Sequence, residues 1–375
     1  MSQMNIPVGS PLAVRKWGTS LAVDTEKQEY FAKFTGKGEN NIIERKVELE
    51  SDAGDEVSFD LSMRLRGGVT TGDNRVEGNT TNLTFLQDKI KIDQYRKGAD
   101  TGGRMSRKRT VHNLRTITRD RMSEYMAQWS DECKFAYLSG DVGLTAVNED
   151  RVFAEIDFAG NPLQAPDSFH QVFPNAVTSK AALTASDKMT VALVERVSTV
   201  PRMLNAKNPD IVNMSPVTVE GGKYFVMVMN PWQAFDMRTE TGDLSWSKIA
   251  QAAAGAEGRN SPIFKGGLGK VNNVILHEHE SVLRWNDAGA GSNVKMARAL
   301  FLGRQAGVIA YGTAQNGARM MWHEQPADAG NRVEIYCGAI KGFKKTRFTP
   351  QNNPSGGFDF GVVAVDTASR DPVAA

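Results

Sequence analysis

Residues 57–79 read VSFDLSMRLRGGVTTGDNRVEGN, and the first nine side chains alternate between apolar and polar. An alternation with a period of two is typical of a β-strand that has one apolar face. Gly67 and Gly68 end the alternation, and a polar run that contains further glycines follows. The stretch therefore predicts a strand that leads into an exposed, glycine-rich tip.

A second strand on the far side of this tip would complete a long hairpin. It is predicted from four apolar residues, Leu83, Phe85, Ile90 and Ile92. Their phase slips by one residue between Phe85 and Gln87, which is the pattern of a β-bulge. Gly98, Gly102 and Gly103 are predicted to end the hairpin. Because an isolated two-stranded ribbon is marginal in water, its apolar face must lie on the same chain or on a neighbouring copy.

A long helix is predicted after the hairpin, over about residues 110–139. Apolar residues recur there at three-to-four spacing without an internal proline, and Gly140 is predicted to stop the helix. At a rise of 1.5 Å per residue its length is roughly 40 Å, so we expect a spine against which a sheet packs. Its predicted core residues are Leu114, Ile117, Met122, Tyr125 and Trp129.

The rest of the chain predicts a mixture of helices and strands. A helix is expected from about Ala185 to Val200, with Ser186 as its cap and Pro201 after its end. Residues 223–229, KYFVMVM, predict a strand covered on both faces. Residues 141–182 predict an irregular inserted loop, and residues 245–254 a helix. Further strands are predicted at Val274–Leu276, Ala299–Leu302, Val333–Cys337 and Phe360–Val365.

The composition excludes several classes of protein. The chain has 375 residues, 40% of them hydrophobic, and a net charge of +2. It is too apolar to be disordered as a whole and long enough for two or three structural units. Cys133 and Cys337 predict buried thiols in a reducing compartment, not a disulfide framework. We also expect no secretory signal, no membrane helix and a soluble intracellular protein.

The near-neutral total hides two oppositely charged segments. Residues 24–60 carry a net charge of −6, and residues 96–121 carry +7. The two segments can attract each other between copies of the chain, or the basic one can meet phosphate. The basic residues with this predicted role are Arg96, Lys97, Arg104, Arg107, Lys108 and Arg109.

Motifs for catalysis and cofactors are weak. Residues 277–280, His-Glu-His-Glu, are the densest group of metal-ligand types, and on a strand His277 and His279 would share one face. They would still need a third ligand from elsewhere. Residues 266–270, GGLGK, lack the spacing of a phosphate loop and predict a turn between strands. We therefore predict no catalytic residue, no cofactor, no metal site and no enzyme.

Several segments together resemble one family. They are AGDEVSF and GGVTTGDNRVEGN (53–79), IKIDQYRKG (90–98), GRMSRKRT (103–110), LTASDKMTVALVERV (183–197), GGKYFVMVMNPWQAFDMR (221–238), SPIFKGGLGKVNNVILHEHE (261–280), ARALFLGRQAG (297–307), AIKGFKKTRF (339–348) and FDFGVVAV (358–365). Their order resembles that of tailed-bacteriophage major capsid proteins of the HK97 type, in the subfamily of the N-four-like coliphages. The resemblance runs over most of the chain.

This resemblance implies an α+β fold with four parts. Residues 1–50 would be an N-terminal arm, and residues 51–103 an extended loop that overlaps an adjacent subunit. Residues 104–215 with 340–375 would form a peripheral domain that contains the spine helix, and residues 216–339 an axial domain. The expected contacts of the extended loop with a neighbour are Phe59, Leu61, Met63, Gly67, Gly68, Asp73, Leu83 and Phe85.

The resemblance also implies a structural function. Copies would assemble through hexamers and pentamers into an icosahedral shell that holds double-stranded DNA, with portal, scaffold and decoration proteins as further partners. The protein would be made in the bacterial cytoplasm and end in the virion, without a membrane. The alternatives are a nanocompartment shell of the same fold around a protein cargo, a metal-dependent enzyme that uses His277 and His279, and a DNA-binding protein that acts through residues 104–121.

Overall fold

The secondary structure comes from a computed structural model. It describes residues 24–25, 28–50, 54–63, 65, 67–110, 113–143, 160–208, 210–219, 221–240, 267–313, 319–350 and 357–373. The strands are β1 Thr35–Gly36, β2 Ile43–Lys46, β3 Glu56–Ser62, β4 Phe85–Lys91, β5 Asp93–Gly103, β6 Gln171–Val172, β7 Val217–Val219, β8 Gly222–Met229, β9 Gly269–Val271, β10 Val274–Glu278, β11 Arg284–Ala288, β12 Val294–Leu302, β13 Gly307–Tyr311, β14 Met320–Ala327, β15 Arg332–Lys345, β16 Arg347–Pro350, β17 Phe358–Asp359 and β18 Val362–Ala368. The α-helices include α1 Arg104–Arg109, α2 Leu114–Ser139, α3 Val191–Lys207 and α4 Pro231–Arg238.

An eight-stranded sheet forms the largest layer. Its strands run in the order β6-β18-β12-β8-β10-β9, with β11 added to β12 and β7 to β8. In β8, Val226 and Val228 belong to the core shared with α2, whereas Phe225 and Met227 belong to the core shared with α3 and α4. Alternate side chains of β8 are therefore buried on opposite faces, which confirms the prediction for residues 223–229.

A six-stranded sheet is built around the long strand β15. β13 and β14 pair with one edge of β15, and β5 pairs with the other. The prediction that Gly98 ends the hairpin is wrong, because Gly98 lies inside β5 opposite Tyr336. A Cβ at residue 98 would lie 2.9 Å from the Tyr336 ring, so this glycine permits a close approach between strands and does not mark a turn.

The spine helix α2 is confirmed, with a later start than predicted. Asn113 caps it, since its side chain accepts a hydrogen bond from the Thr116 N–H, and Gly140 ends it in the left-handed conformation at φ 72°. Met122 and Met126 pack on the six-stranded sheet, whereas Cys133 and Phe135 belong to a core cluster that also contains Val226 and Val228 of the eight-stranded sheet. The helix therefore joins the two sheets.

One predicted core position of α2 is wrong. Ile117 is 42% exposed, although Met122 and Trp129 are buried and Leu114 and Tyr125 are partly buried. At about 100° per residue, Ile117 is turned roughly 120° away from Trp129 around the helix axis, outside the buried stripe.

The hairpin strands belong to a four-stranded sheet with the order β17-β16-β4-β3. β3 pairs with β4 from Glu56 opposite Lys91 to Ser62 opposite Phe85 without a register shift, so the predicted β-bulge is wrong. The apolar residues of this strand change phase because β4 buries Leu86, Asp88 and Ile90, while Phe85 is exposed. Asp88 is a polar residue on the inward face, where it forms an ion pair with Lys344.

Helix α3 differs from its predicted bounds. It is capped by Thr190, whose side chain accepts a hydrogen bond from the Leu193 N–H, and Pro201 lies inside it. Proline removes one backbone hydrogen bond from a helix. The buried stripe continues through Val197, Pro201 and Leu204, so packing on the sheet outweighs that loss.

Three of the four further predicted strands lie where the sequence placed them. The predicted strands at 274–276, 299–302 and 333–337 lie within β10, β12 and β15, and the fourth begins at Val362 instead of Phe360. Residues 160–182 are irregular except for β6 and a short 3-10 helix, while 144–159 and the predicted helix at 245–254 lie outside the described residues. Cys133 and Cys337 are both buried free thiols, as predicted. Among the described residues, no helix is long and apolar enough to span a membrane.

Candidate assembly surfaces

The tip of the hairpin is an exposed surface with apolar side chains. Beyond β3 and β4, Leu65, Val69, Val76 and Leu83 are exposed, and Val69 reaches 89%. Gly67, Gly68 and Asp73 lie in the same exposed stretch, and Phe85 at the start of β4 is partly exposed as well. This tip therefore holds five of the eight predicted loop contacts.

The base of the hairpin packs on its own chain. The Phe59 ring lies edge-on to Phe348 with centroids 6.0 Å apart, and Leu61 and Met63 pack in the same cluster. Ile90 joins Val308 in a second cluster below the hairpin. The apolar face of the ribbon was expected to lie on the same chain or on a neighbouring copy. At the base of the hairpin it lies on the same chain.

The basic stretch is divided between a strand and a short helix. Arg96 and Lys97 are exposed on β5, where the Lys97 ammonium lies 4.8 Å from the centroid of the Tyr125 ring. In α1, Arg107 donates a hydrogen bond of 3.0 Å to the Asn331 carbonyl. Arg104 donates one of 3.2 Å to the Gly330 carbonyl, whereas Lys108 and Arg109 are exposed. These cations lie along one edge of the six-stranded sheet.

Part of the charge complementarity is used inside the subunit. Asp24 of the acidic segment forms an ion pair of 3.1 Å with Arg119 of the basic segment. Arg115 pairs with Glu324 of β14 at 2.7 Å. The two segments therefore attract each other within one chain at the N-terminal half of α2.

A buried charge cluster holds the arm on the spine helix. Glu29 forms an ion pair of 2.7 Å with Lys134, and Asp131 accepts hydrogen bonds from the N–H groups of Tyr30 (2.6 Å) and Phe31 (3.3 Å). Burial raises the pKa of Asp131 to about 6. Burial opposes ionisation of Glu29 as well, but the adjacent Lys134 ammonium lowers its pKa below the usual value.

This buried charge cluster is not among the sites predicted from the sequence. Its signal was present, because Asp131 and Lys134 lie one turn apart between the apolar residues of the predicted spine helix. Charged residues so close to a buried stripe are rarely buried unless they are paired. The partner on the arm could not be located from the sequence, since Glu29 is more than a hundred positions away.

Within the part of the chain that the structure describes, His277 and His279 are not joined by a third metal ligand. His277 is fully buried, with Nδ1 at 3.5 Å from the Lys33 ammonium, which disfavours a bound cation. His279 lies beyond the end of β10 and stacks on Phe135, and burial lowers its pKa to about 4. Among the described residues, no cluster of three or more His, Cys, Asp or Glu could hold a metal ion.

The described residues form a subunit with an exposed hairpin tip, a segment of the arm held on the spine helix, and two sheets that this helix joins. A family model described as phage capsid protein matches residues 5–371, so the chain belongs to the phage capsid protein family. It is 28% identical to the major capsid protein of Pseudomonas phage KPP25 over 94% of both chains.

Solved capsid structures agree with this family. The capsid of Ralstonia phage GP4 matches over 100% of both chains with 47% identity and a TM-score of 0.83. The capsid of cyanophage Pam1, 21% identical over 92% of this chain and 93% of that one, has a TM-score of 0.68 and supports the fold. The fold is thus the predicted HK97-type α+β capsid fold, and the protein is a phage major capsid protein that forms an icosahedral capsid, not an enzyme.

Proposed function

We propose that this chain assembles through hexamers and pentamers, and that the resulting shell encloses double-stranded DNA. The observation that carries the proposal is the hairpin tip, where apolar side chains such as Val69 and Val76 are exposed on a stretch that has no core of its own. A neighbouring subunit would supply the missing cover. Many weak contacts of this kind make a strong shell when they repeat over all copies.

The arm, residues 1–50, and the extended loop, residues 51–103, would make the contacts with neighbouring subunits. Residues 104–215 with 340–375 would lie at the periphery, and residues 216–339 around the hexamer and pentamer axes. These regions interlock in the subunit, because β6 and β18 pair in the same sheet as β8, β10 and β12. The division is therefore one of position in the shell, not of independent folding units.

The exposed cations of β5 and α1 would face either a neighbouring subunit or packaged DNA. Lys108 and Arg109 are exposed at the outer end of this strip. Opposite charges on adjacent subunits set the register of a contact more than its affinity.

The segments between residues 53 and 365 that resemble capsid proteins support a place in the subfamily of the N-four-like coliphages. By the same resemblance, the protein would be made in the host cytoplasm and would meet portal, scaffold and decoration proteins in the virion.

Electron microscopy of the protein expressed alone and in infected cells tests this function. We expect closed shells or capsomers, and nucleic acid inside particles from infected cells. Shells that hold a protein cargo and no nucleic acid would instead identify a nanocompartment. A protein that stays monomeric under all conditions and binds DNA tightly, with a steep salt dependence, would contradict assembly.

A further inference from the structure

A cleft of about 690 Å³ lies between the spine helix, the arm and the loop at residues 279–281. Its lining is strongly acidic. The acidic residues that line it are Asp120, Glu124, Asp131, Glu132 and Glu280. Arg121, the basic residue in the lining, pairs with Glu124, and Arg119 lies 3.4 Å from Asp120. The Asp120 and Glu124 side chains remain 61% and 45% exposed, so both carboxylates are accessible to a further cation. The cleft is therefore electrostatically suited to a cationic occupant.

Two further features of the cleft favour an occupant that is also apolar or aromatic. Ile117 is exposed within it, although aliphatic side chains gain free energy when they are covered. The Tyr30 ring packs against His279 with centroids 4.3 Å apart, so the wall at this end is aromatic.

The described part of the chain begins beside this cleft. The Asp24 carboxylate contacts Arg119, and the Thr25 hydroxyl lies 3.4 Å from the Ser123 hydroxyl. Gln28 itself lines the cleft. Residues 1–23 thus join the subunit next to the acidic lining. At about 3.3 Å per residue, the seven steps from Trp17 to Asp24 reach roughly 23 Å. Ile117 lies only two residues from Arg119, which Asp24 contacts, so it is within this reach.

The composition of this segment complements the cleft. Residues 1–23 contain Arg15 and Lys16 and no acidic residue. Trp17 follows directly, so two cations and a large aromatic ring are adjacent. A cationic pair matches the acidic lining, and an indole matches the apolar side chain of the exposed isoleucine.

We propose that in the free subunit the segment Arg15–Trp17 of the same chain occupies this cleft. Arg15 and Lys16 face the carboxylates of Asp120 and Glu124, and Trp17 covers Ile117. This contact goes beyond the proposed shell function, since it is made before assembly and within one chain.

Site-specific photocrosslinking in the full chain tests the proposal. Trp17 is replaced by benzoylphenylalanine, the dilute protein is irradiated, and the crosslinked peptides are identified by mass spectrometry. We expect an intrachain crosslink to residues 117–132 or 279–281 that leaves the chain at monomer mass. D120K/E124K should lower its yield about fivefold, because it replaces attraction by repulsion. The matched control E195K/D210K, which changes two exposed acids outside the cleft, should leave the yield unchanged.

A charge swap separates specific docking from general damage. Adding R15E/K16E to D120K/E124K should restore the crosslink. A crosslink to other residues, a crosslink between two chains only, or a swap that restores nothing would overturn the proposal. Shell formation is scored separately by electron microscopy, so a failure of assembly counts against the proposed function and not against the cleft.

Discussion

Single charged residues hold distant parts of this chain together. Arg298 donates two hydrogen bonds to Asp366, at 2.6 and 2.8 Å, across the two longest-paired strands of the eight-stranded sheet. Lys345 pairs with Asp359 at 2.7 Å, and both side chains are almost fully buried. Each buried charge needs its partner, because an unpaired one is costly. Loss of one partner from either pair is therefore expected to destabilise the subunit.

Asp131 gives the subunit a pH dependence whose sign follows from its surroundings. Its pKa is raised to about 6 by burial, from an ordinary 3.8, with Glu29, Lys33, Lys134 and Lys341 among the charges around it. The folded state binds the proton more tightly than the unfolded chain, so this contribution to stability is full below pH 4 and is lost as the pH rises through 6. From pH 5 to 8, wild type should lose about 1 kcal/mol relative to Asp131→Asn, measured by urea unfolding.

The comparison with the variant isolates this group. His279, whose pKa is lowered to about 4, acts in the opposite direction, because its contribution is lost as the pH falls from 6.5 to 4. It is present in both proteins and cancels in the difference. A difference between wild type and variant that is constant from pH 5 to 8 would contradict the raised pKa of Asp131.

Trp129 anchors the middle of the spine helix. Its ring packs 4.7 Å from Tyr95, and the Lys341 ammonium lies 5.2 Å from its centroid. Trp129→Ala should lower the free energy of unfolding by roughly 3–5 kcal/mol, because it leaves a large cavity. Trp129→Phe keeps an aromatic ring there and should cost clearly less. A near-neutral alanine variant in denaturant unfolding would refute the assignment of Trp129 to the core.

At the scale of elements, the end of the spine helix depends on one glycine. Gly140 has φ 72°, and a Cβ there would collide with the backbone carbonyl of Gln164. Gly221 has a similar φ of 80° but open space around it. Gly140→Ala should therefore cost about 2–5 kcal/mol, from backbone strain plus overpacking, and Gly221→Ala only about 1–2 kcal/mol. Thermal unfolding of both variants measures the difference, and equal losses would show that close packing at residue 140 contributes nothing.

The elements that local pattern could predict are those whose burial is regular. β3 alternates, β8 is apolar throughout, and α2 keeps an apolar stripe, so each was located from its own residues. The failures have distant causes. Gly98 makes room for Tyr336, Asp88 is buried because Lys344 meets it, and Pro201 is tolerated because a sheet covers its helix. No local window contains those partners.

The same limit applies to the candidate surfaces. Exposure of the hairpin tip follows from its polar, glycine-rich sequence, and the predicted contacts Gly67, Gly68 and Asp73 are exposed there. The packing of Phe59 on Phe348 joins residues that are almost 300 positions apart, and the acidic cleft combines three separate segments. Surface features that depend on one segment could be predicted from the sequence, whereas features that depend on tertiary contacts could not.

At the scale of the whole molecule, the hairpin has a packed base and an uncovered tip. Removal of the tip should therefore block assembly and leave folding intact. Deleting residues 67–79 should leave a folded subunit, because Val57, Phe59 and Leu61 still pack on the body. The two limbs can be rejoined by an Asn-Gly turn, since a Cβ on Gly67 would lie 2.9 Å from the Thr81 hydroxyl. We expect a thermal midpoint close to wild type and no closed shells by electron microscopy. Unfolding of the deletion variant would make the tip part of the internal core, and normal shells would show that neighbouring subunits do not need it.

A second variant keeps the full-length loop but removes apolar area from its tip. The full-length chain with Val69→Ser and Val76→Ser should fold normally and give a reduced yield of shells by electron microscopy.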